Sequence, residues 1–480
     1  MSSQTPLQHF IGGAFVAASG EEYQSSLNPS DPNDIVTEAP LGSTEAVSRA
    51  VSGAANAFGA WRSQVASARS NLLFSWADAI QARAEEIAQA VCREVGKPIA
   101  ESRGEAGRCV ALLRYYAGEA VRPSGDVIPA SKPGGLQYAL RQPVGVAGLI
   151  TPWNFPIAIP IWKAAPALAF GNTVVLKPSE LSPYTASLLA ETAASAGIPA
   201  GVFNVVFGGG ATGFALVSHA AVNLISFTGS SVAGAKVAVA SAQRNVKYQT
   251  EMGGKNVGIV LGDADIQRAA NLVAGGAMRY AGQKCTATSR VLVDKSIMGP
   301  FMDALKSCVA ALPLGPVTDP ASAVGPVISA ESRTRIEAAL DAAEGEFVCG
   351  YKPADATFAA GYFVSPTVAV GVEPTASLAQ DEIFGPVLAV LETDGLDEAL
   401  QIANGVKFGL SAAIYTRDIA AALSYVDRIE AGMVRVNGDT TGVDPYAPFG
   451  GMKSSGSHSR EQGQAAREFY TELKTVEINP

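Results

Sequence analysis

The sequence predicts an α/β protein built on parallel, doubly wound sheets, and three observations support this fold class. At 480 residues the chain exceeds the roughly 250–300 residues that one hydrophobic core usually serves, so two or three domains are expected. Hydrophobic residues make up 48% and charged residues 16%, which is typical of a compact globular protein. Short apolar runs alternate with Ala-rich helical segments, as they do in βαβ units.

The first half of the chain divides into a helical layer and a series of strands. Apolar residues recur at helical spacing over residues 44–120, which predicts helices packed on a sheet. From residue 144 the pattern changes to short apolar runs that end in Gly, Pro or Asn. These runs predict strands at residues 144–150, 172–178, 201–207, 221–227 and 256–262. A parallel sheet of this kind makes a dinucleotide-binding domain the natural candidate.

The alternation of strands and helices starts again after about residue 256. Strands are predicted at residues 290–294, 412–416 and 432–438, which indicates a second α/β domain. Two β-like segments, within residues 121–143 and over residues 468–478, lie outside both units. They either pair between the subunits of a homo-oligomer or act as edge strands that complete a sheet of the same chain.

Charge and composition narrow the class of function. The net charge of −9 and the pI of about 5.1 argue against general nucleic-acid or anionic-membrane binding, which relies on basic surfaces. No apolar run spans a membrane and the first residues do not resemble a signal peptide, so a cytoplasmic protein acting on small molecules is expected. The five cysteines lack C-x-x-C spacing and the three histidines are isolated, so neither a disulfide framework nor a metal site is expected.

Two glycine-rich segments follow predicted strands, and they differ as candidate phosphate sites. Gly208, Gly210 and Gly213 match the G-x-G-x-x-G fingerprint, but that fingerprint also needs an acidic residue about 20 positions further on. No Asp or Glu occurs within that distance, so this match is disfavoured. The turn over residues 227–234 is the better candidate, because free N–H groups at a helix start beside Ser230 bind a diphosphate. An ordinary N-cap serine is the alternative.

Lys177, Ser179 and Glu180 follow another predicted strand, at the carboxyl edge of the sheet where open α/β folds bind ligands. Glu180 is expected to accept hydrogen bonds from a ribose diol and to repel a 2′-phosphate. This carboxylate therefore favours NAD over NADP as the cofactor. A solvated ion pair of Lys177 and Glu180 is the structural alternative.

Three residues together suit chemistry at a carbonyl group. Cys285 lies among small and polar residues, a setting that suits a reactive thiol better than a core cysteine. Asn154 stands between two prolines after a strand, where a rigid turn can aim its amide at an oxyanion. Glu251 precedes a diglycine between the two halves, where a carboxylate of raised pKa can activate water. Taken alone, a buried thiol or a turn asparagine is more often structural.

With Asn154, Glu251 and Cys285 present, and with few histidines to serve as a base, the sequence resembles the NAD(P)-dependent aldehyde dehydrogenase superfamily over nearly its whole length. Seven motifs in chain order carry the resemblance: TPWNFP (151–156), KPSE (177–180), FTGSSVAG (227–234), EMGGK (251–255), GQKC (282–285), EIFGPV (382–387) and PFGGMKSSG (448–456). Seven ordered motifs are far more specific than any single one.

The resemblance implies an aldehyde dehydrogenase-like fold with three parts. Residues 1–120 and 144–255 are expected to form a Rossmann-type cofactor-binding domain, and residues 256–455 an α/β catalytic domain. Residues 121–143 and 456–480 are expected to form a small β oligomerisation element that builds a homodimer or homotetramer.

The resemblance also implies NAD as the cofactor, with NADP possible, and no metal. The cofactor residues that it implies are Trp153, Lys177, Ser179, Glu180, Gly229, Ser230, Gly234, Glu382 and Phe384. Lys177 and Glu180 are expected at the adenosine ribose, and the turn from Gly229 to Gly234 at the phosphates. Glu382 and Phe384 are expected at the nicotinamide ribose and ring.

In the mechanism that the resemblance implies, the Cys285 thiolate attacks an aldehyde and forms a thiohemiacetal. Asn154 and the Cys285 N–H hold the oxyanion, and a hydride leaves for the nicotinamide. Water activated by Glu251 then hydrolyses the thioester to a carboxylic acid. An acylating or esterase-like catalyst and a non-catalytic structural relative are the alternatives, and the intact catalytic set argues against the latter.

The expected substrate is an acidic semialdehyde. Arg279 lies six residues before Cys285, similar to the position where succinate-semialdehyde dehydrogenases carry an arginine for the substrate carboxylate. Trp162 replaces another arginine of those enzymes, which disfavours succinate semialdehyde itself. Residues 440–463 and 468–476 look most like the α-ketoglutaric semialdehyde (2,5-dioxopentanoate) dehydrogenases.

An aromatic aldehyde is the alternative substrate. Trp153, Phe155, Trp162 and Val443 are expected to line an entrance that suits an aromatic ring. An aromatic lining is equally typical of ordinary core packing, and Arg279 is equally typical of a surface residue.

Overall fold

A computed structural model of the protein describes residues 6–122, 124–350, 358, 360–457 and 459–480, and these residues form a mixed α/β fold. The strands are β1 (His9–Ile11), β2 (Ala14–Val16), β3 (Tyr23–Asn28), β4 (Asp31–Pro40), β5 (Gly125–Ile128), β6 (Leu136–Pro143), β7 (Val146–Ile150), β8 (Thr173–Lys177), β9 (Phe203–Val205), β10 (Leu224–Thr228), β11 (Lys247–Glu251), β12 (Asn256–Val260), β13 (Thr288–Asp294), β14 (Glu346–Cys349), β15 (Thr367–Val370), β16 (Val387–Thr393), β17 (Phe408–Gly409), β18 (Ser411–Tyr415), β19 (Met433–Val436), β20 (Met452–Lys453) and β21 (Thr471–Ile478). The helices are α1 (Thr44–Ser63), α2 (Ala66–Ala82), α3 (Ala84–Val95), α4 (Ile99–Glu119), α5 (Ala158–Ala169), α6 (Pro183–Ser195), α7 (Gly210–Ser218), α8 (Ser231–Gln243), α9 (Ile266–Met278), α10 (Met298–Ala310), α11 (Ala330–Asp341), α12 (Ser377–Gln380), α13 (Gly395–Asn404), α14 (Ile419–Arg428) and α15 (Ala465–Tyr470).

The first large sheet has seven strands in the order β11-β10-β7-β8-β9-β1-β2. Neighbours from β11 to β9 are parallel, whereas β1 pairs antiparallel with β9 and with β2. A helix crosses between each pair of strands that follow one another from β7 to β11. The strands predicted from the apolar runs between residues 144 and 227 are therefore confirmed, and so is their parallel arrangement.

Side chains alternate between the two faces of this sheet. On β7, Ala147 and Leu149 join the core that contains α2, α4, α5 and α6, whereas Val146 and Ile150 pack against α1 and α7. Full burial of one such side chain is worth about 1.5–3 kcal/mol. The helices predicted over residues 44–120 are confirmed as α1 to α4, and they lie on both faces of the sheet instead of forming one layer.

The second large sheet also has seven strands, in the order β14-β15-β16-β13-β12-β18-β19. All of its neighbours are parallel except the edge strand β14. The strands predicted at residues 256–262, 290–294, 412–416 and 432–438 are confirmed as β12, β13, β18 and β19. Residues 252–255 connect β11 of the first sheet to β12 of the second, so Glu251 lies at the junction.

A small antiparallel sheet, in the order β21-β6-β5, stands apart from both large sheets. Leu136–Pro143 pairs with Thr471–Ile478 along its whole length, so the two β-like segments pair with each other within one chain. The strand predicted from residue 468 begins later, at Thr471. Phe469 and Tyr470 are buried in the first core as the end of α15, and this tertiary packing overrides their β propensity.

Over the described part of the chain, no helix is both long and apolar enough to cross a membrane. His458 lies outside the described residues, and among the described ones no three His, Cys, Asp or Glu side chains come together as a metal site.

Candidate active site

Cys285 lies in the loop between α9 and β13, and the backbone of this loop takes an uncommon path. Tyr280, Ala281 and Gly282 have φ angles of 55°, 51° and 65° in succession. Left-handed backbone costs a non-glycine residue on the order of 1–2 kcal/mol. A Cβ atom at Gly282 would lie 2.2 Å from the carbonyl oxygen of Gly385, so glycine is required there. Other contacts must hold this turn in place.

Two buried amide side chains fix the loop around the thiol. Gln283 Nε2 donates to the carbonyl of Pro326 at 3.1 Å, and its Oε1 accepts from the N–H of Ile328 at 2.8 Å. Asn256 Nδ2, at the start of β12, donates to the carbonyl of Cys285 at 2.8 Å. The backbone on both sides of the thiol is therefore anchored.

Asn154 reaches the same loop from the turn that follows β7. Its side chain is buried, and Nδ2 donates to the carbonyl of Gln283 at 3.0 Å. The amide has a second N–H that this contact does not use. The structure thus brings Asn154 next to the Cys285 loop, where this N–H can serve an oxyanion.

Glu251 ends β11 and is only 1% exposed. Burial, followed by the charge of Glu461, raises the pKa of Glu251 well above its usual value. Neither carboxylate oxygen has a hydrogen bond of good geometry among the described residues, although the backbone N–H of Gly451 lies near enough to act against the rise in pKa. A Cβ atom at Gly450 would lie 2.6 Å from Oε1, so a glycine leaves the carboxylate its space. Glu251 is therefore a buried, unpaired carboxyl group with the properties of a general base.

The thiol of Cys285 is neutral in this environment. Burial, and then the charges of Glu382 and Glu251, raise its pKa to about 12. Lys284 does not offset this effect, because it forms an ion pair with Glu101 at 2.8 Å. The thiol must therefore pass its proton to a base as it attacks, and no histidine is placed to serve among the described residues of the cavity.

A cavity of about 190 Å³ opens at Cys285. Phe155, Trp162 and Val443, which the sequence assigned to the substrate, lie in its wall. The remaining lining residues are Glu101, Arg108, Lys284, Thr286, Thr441, Gly442 and Phe449. The wall therefore combines three aromatic rings with the cation of Arg108 and the ion pair of Lys284 and Glu101.

Arg279 is not among the residues that line this cavity. It is exposed and lies along Gly275 of α9, with Nε 3.5 Å from where a Cβ of that glycine would stand. α9 ends at Met278 and the backbone then turns through left-handed residues. A spacing of six residues therefore does not place the side chains of Arg279 and Cys285 in one cavity.

The arginine that lines the cavity is Arg108, which lies on α4. Glu101, Glu105 and Arg108 follow one another at positions i, i+4 and i+7 of α4, so all three lie on one face of that helix. This charged face of α4 was the only feature of the sequence that could have pointed to Arg108 as a residue of the cavity. It could not be assigned to the site without knowing that α4 packs beside α5.

A groove of about 690 Å³ lies at the carboxyl edge of the first sheet. The predicted cofactor residues that line it are Trp153, Lys177, Ser179, Glu180, Gly229 and Ser230. Gly234 lies beneath, where a Cβ atom would be 2.5 Å from the sulfur of Met252. The side chain of Ser230 accepts from the N–H of Ala233 at 3.3 Å, so it is the N-cap of α8.

The structure differs in two respects from what the sequence favoured for individual residues of the groove. Lys177 Nζ and Glu180 Oε2 are 3.3 Å apart, so the pair considered as a structural alternative does form, on the wall of the groove. Gly210 and Gly213 of the disfavoured fingerprint also line the groove, at the start of α7. Two helices, α7 and α8, therefore begin at this groove.

Glu382 and Phe384 line a small cavity together with Gly282 and Lys284 of the Cys285 loop. Glu382 accepts from the N–H of Gly254 at 3.0 Å, and burial raises the pKa of Glu382 to about 7. A Cβ atom at Gly253 would be 1.8 Å from Glu382 Oε2, so the diglycine permits this approach. The ring of Phe384 stands edge-on to Trp153, with the centroids 5.6 Å apart.

The profile of the aldehyde dehydrogenase family matches residues 15–476. The chain belongs to this family. The α-ketoglutaric semialdehyde dehydrogenase of Bacillus subtilis (strain 168) is 44% identical over 485 residues, covering 100% of this chain and 99% of that protein. The α-ketoglutarate semialdehyde dehydrogenase of Haloferax volcanii is 39% identical, with 98% of each chain covered. The solved structure of an NAD-dependent aldehyde dehydrogenase from Sinorhizobium meliloti has a TM-score of 0.96 at 37% identity, covering 99% of this chain and 95% of that one.

The family resemblance and the fold class that the seven motifs predicted are thus confirmed. The aldehyde dehydrogenase motifs meet from separate elements: the turn after β7, the end of β11 and the loop after α9. Sequence reasoning missed Lys163 and Glu461, which form a buried ion pair. The charge of Glu461 raises the pKa of Glu251. Neither Lys163 nor Glu461 has a distinctive local pattern.

Proposed function

We propose that the protein oxidises an aldehyde to a carboxylic acid with NAD as the hydride acceptor. The observation that carries this proposal is the meeting of Cys285, Asn154 and Glu251 between an aromatic cavity and a groove lined by two helix starts. Family membership supports the same reaction. The groove fits a dinucleotide, because Thr151 and Thr228 hold buried hydroxyls there that have no partner among the described residues.

The reaction begins at the Cys285 sulfur. It bonds to the aldehyde carbon, the thiol proton passes to the carboxylate of Glu251, and Asn154 Nδ2 and the Cys285 N–H bind the new oxyanion. When bound, NAD supplies the acceptor for the hydride of that carbon. Cys285 then carries a thioester.

Hydrolysis returns the site to its starting state. Glu251 first releases the thiol proton to solvent, and its carboxylate then takes a proton from water while the hydroxide bonds to the thioester carbon. The C–S bond breaks, the sulfur regains a proton, and the carboxylic acid leaves. The raised pKa of Glu251 suits this role, because a carboxylate of higher pKa is a stronger base.

The substrate that the site supports best is an acidic semialdehyde such as 2,5-dioxopentanoate. Arg108 lines the cavity and supplies positive charge for a distal carboxylate, whereas the charge of Lys284 is offset by Glu101. The two relatives of highest identity described above carry α-ketoglutarate semialdehyde in their names. The aromatic wall formed by Phe155, Trp162 and Phe449 supports an aromatic aldehyde as the second candidate. Succinate semialdehyde is the third.

NAD is the proposed cofactor, and NADP is the alternative. Lys177, Ser179, Glu180, Gly229, Ser230 and Trp153 would hold the dinucleotide, with Glu382 and Phe384 nearer the thiol. Glu180 lies on the groove wall, where its carboxylate disfavours a 2′-phosphate.

We also propose that residues 121–143 and 456–480 form an oligomerisation element, beside a cofactor domain (1–120 and 144–255) and a catalytic domain (256–455). The small sheet has open edges at β5 and β21, where Val127 and Leu473 are 79% and 60% exposed. Light scattering should show a dimer or tetramer that Val127→Lys weakens. A monomeric wild-type protein would contradict this proposal.

The decisive experiment is a panel of aldehydes assayed with NAD and with NADP. The wild type should reduce NAD with 2,5-dioxopentanoate at a higher kcat/KM than with succinate semialdehyde or benzaldehyde. Cys285→Ala should abolish the activity while NAD still binds. Full activity in that variant would refute the proposed mechanism. A higher kcat/KM with benzaldehyde would instead favour an aromatic aldehyde as the substrate.

A further inference from the structure

Lys97 is a buried cation that lies between the two loops that carry Asn154 and Cys285. Its side chain is fully buried. Its Nζ lies 3.9 Å from the ring centroid of Phe155 and 4.6 Å from that of Tyr280. A cation within about 6 Å of an aromatic face is attracted by the ring, most strongly where water is excluded. One ammonium group therefore contacts both loops at once.

The two rings are adjacent to the reacting groups along the chain. Phe155 directly follows Asn154, and it lines the Cys285 cavity. Tyr280 begins the left-handed turn that leads to Cys285. The hydroxyl of Tyr280 is buried without a hydrogen-bond partner among the described residues. The ring of Tyr280, and not its hydroxyl, therefore carries its contact with Lys97.

Lys97 is also tied to the start of α5. It forms an ion pair with Oε2 of Glu105. The other oxygen, Oε1, accepts from the N–H groups of Ile157 and Ala158 at 3.1 and 2.9 Å. A buried charge needs such a partner, because an unpaired one costs several kcal/mol. Glu105 thus opposes the burial that lowers the pKa of Lys97, and it joins the ammonium group to the helix that follows Asn154.

We infer that Lys97 is a positioning residue, which sets the distance between the Asn154 amide and the Cys285 sulfur by holding Phe155 and Tyr280 against one cation. It is not among the residues that line the cavity or the groove, so it acts through the two loops. The inference rests on the proposed function, because it concerns the step in which the sulfur adds to the aldehyde. Misplacement of a reacting group by about 1 Å can cost on the order of 100-fold in rate.

The test is a single-turnover measurement with enzyme in excess over aldehyde and NAD at saturation. Lys97→Met keeps the length of the side chain and removes its charge. The rate constant of NADH formation should fall about 10- to 100-fold at full amplitude, with the KM for NAD within twofold of the wild type. An unchanged rate constant would overturn the inference. A reduced amplitude at the wild-type rate would also overturn it, because it would indicate a misfolded fraction.

A second pair of variants covers the case in which Lys97→Met does not fold. Tyr280→Phe keeps the ring below the ammonium group, whereas Tyr280→Leu removes it. The single-turnover rate constant of Tyr280→Leu should lie at least tenfold below that of Tyr280→Phe. Equal rate constants would overturn the inference. A wild-type protein that reduces no NAD with any aldehyde would instead refute the proposed function.

Discussion

The charge of Arg108 should decide between acidic and neutral aldehydes, and Arg108→Gln removes it. The guanidinium lines the cavity of Cys285, and one Nη donates to Oε1 of Gln462 at 3.1 Å. Its Nε is buried without a partner among the described residues, and burial lowers the pKa of Arg108. A carboxylate entering the cavity would pair with the charge of this guanidinium.

The magnitude follows from the kind of contact that is lost. A hydrogen bond to a charged group is worth about 1.5–3 kcal/mol, and each 1.4 kcal/mol is about tenfold. The kcat/KM for 2,5-dioxopentanoate should therefore fall about 10- to 150-fold. Pentanal has the same chain length and no carboxylate, so its kcat/KM should change less than about threefold.

The assay is NADH formation with both aldehydes, and Arg279→Gln is the matched control. Arg279 is exposed and outside the cavity, so its loss should affect both aldehydes by less than about twofold, the range of neutral surface substitutions. An equal loss with both aldehydes in Arg108→Gln would refute the reasoning. So would a loss confined to 2,5-dioxopentanoate in Arg279→Gln.

Three further variants test the remaining roles. Glu251→Gln should lower both the rate of the first turnover of NADH and the steady rate about 10²- to 10⁴-fold, because Glu251 accepts the thiol proton and then activates water, and a normal steady rate would remove Glu251 as the base. In the wild type, the raised pKa of Glu251 means that the carboxylate forms only as pH rises, so kcat should increase with pH through that pKa; a flat kcat profile would contradict this. Asn154→Ala should lower kcat about 10²- to 10³-fold by removing an oxyanion donor, measured at saturating aldehyde. Glu180→Gln should raise kcat/KM with NADP relative to NAD by about tenfold, and an unchanged ratio would show that this carboxylate does not select the cofactor.

The elements of this fold could be predicted because their patterns are local. Apolar runs such as residues 144–150 and 172–178 have the period and the flanking residues of buried strands, and each became a strand within a few residues of its predicted ends. Residues 468–470 could not be assigned in this way. Phe469 and Tyr470 favour strands, but burial against the first core keeps them helical.

Cys285, Asn154 and Glu251 could be proposed as catalytic residues from the sequence because a thiol, an amide and a carboxylate stand in glycine- and proline-rich motifs. Arg108, Lys97 and Glu461 could not, because their importance depends on which helices pack together. Arg108 has an ordinary helical neighbourhood, and only the packing of α4 on α5 brings it to the cavity. Arg279 was chosen from its distance along the chain to Cys285, which the left-handed turn makes misleading.

Residues 252–255, which connect the two large sheets, set the spacing of Glu251 and Cys285 independently of the residues that form the cavity wall. At one end stands Glu251, and at the other Asn256 holds the carbonyl of Cys285, so a backbone of fixed length spaces the base and the nucleophile. The cavity wall comes from other segments: α4, the turn before α5, α5 itself and residues 441–449. Substitutions in these segments at residues other than Phe155 can change which aldehyde is accepted without altering the spacing of the reacting groups. The same scaffold is therefore suited to engineering for new substrates by exchange of wall residues alone.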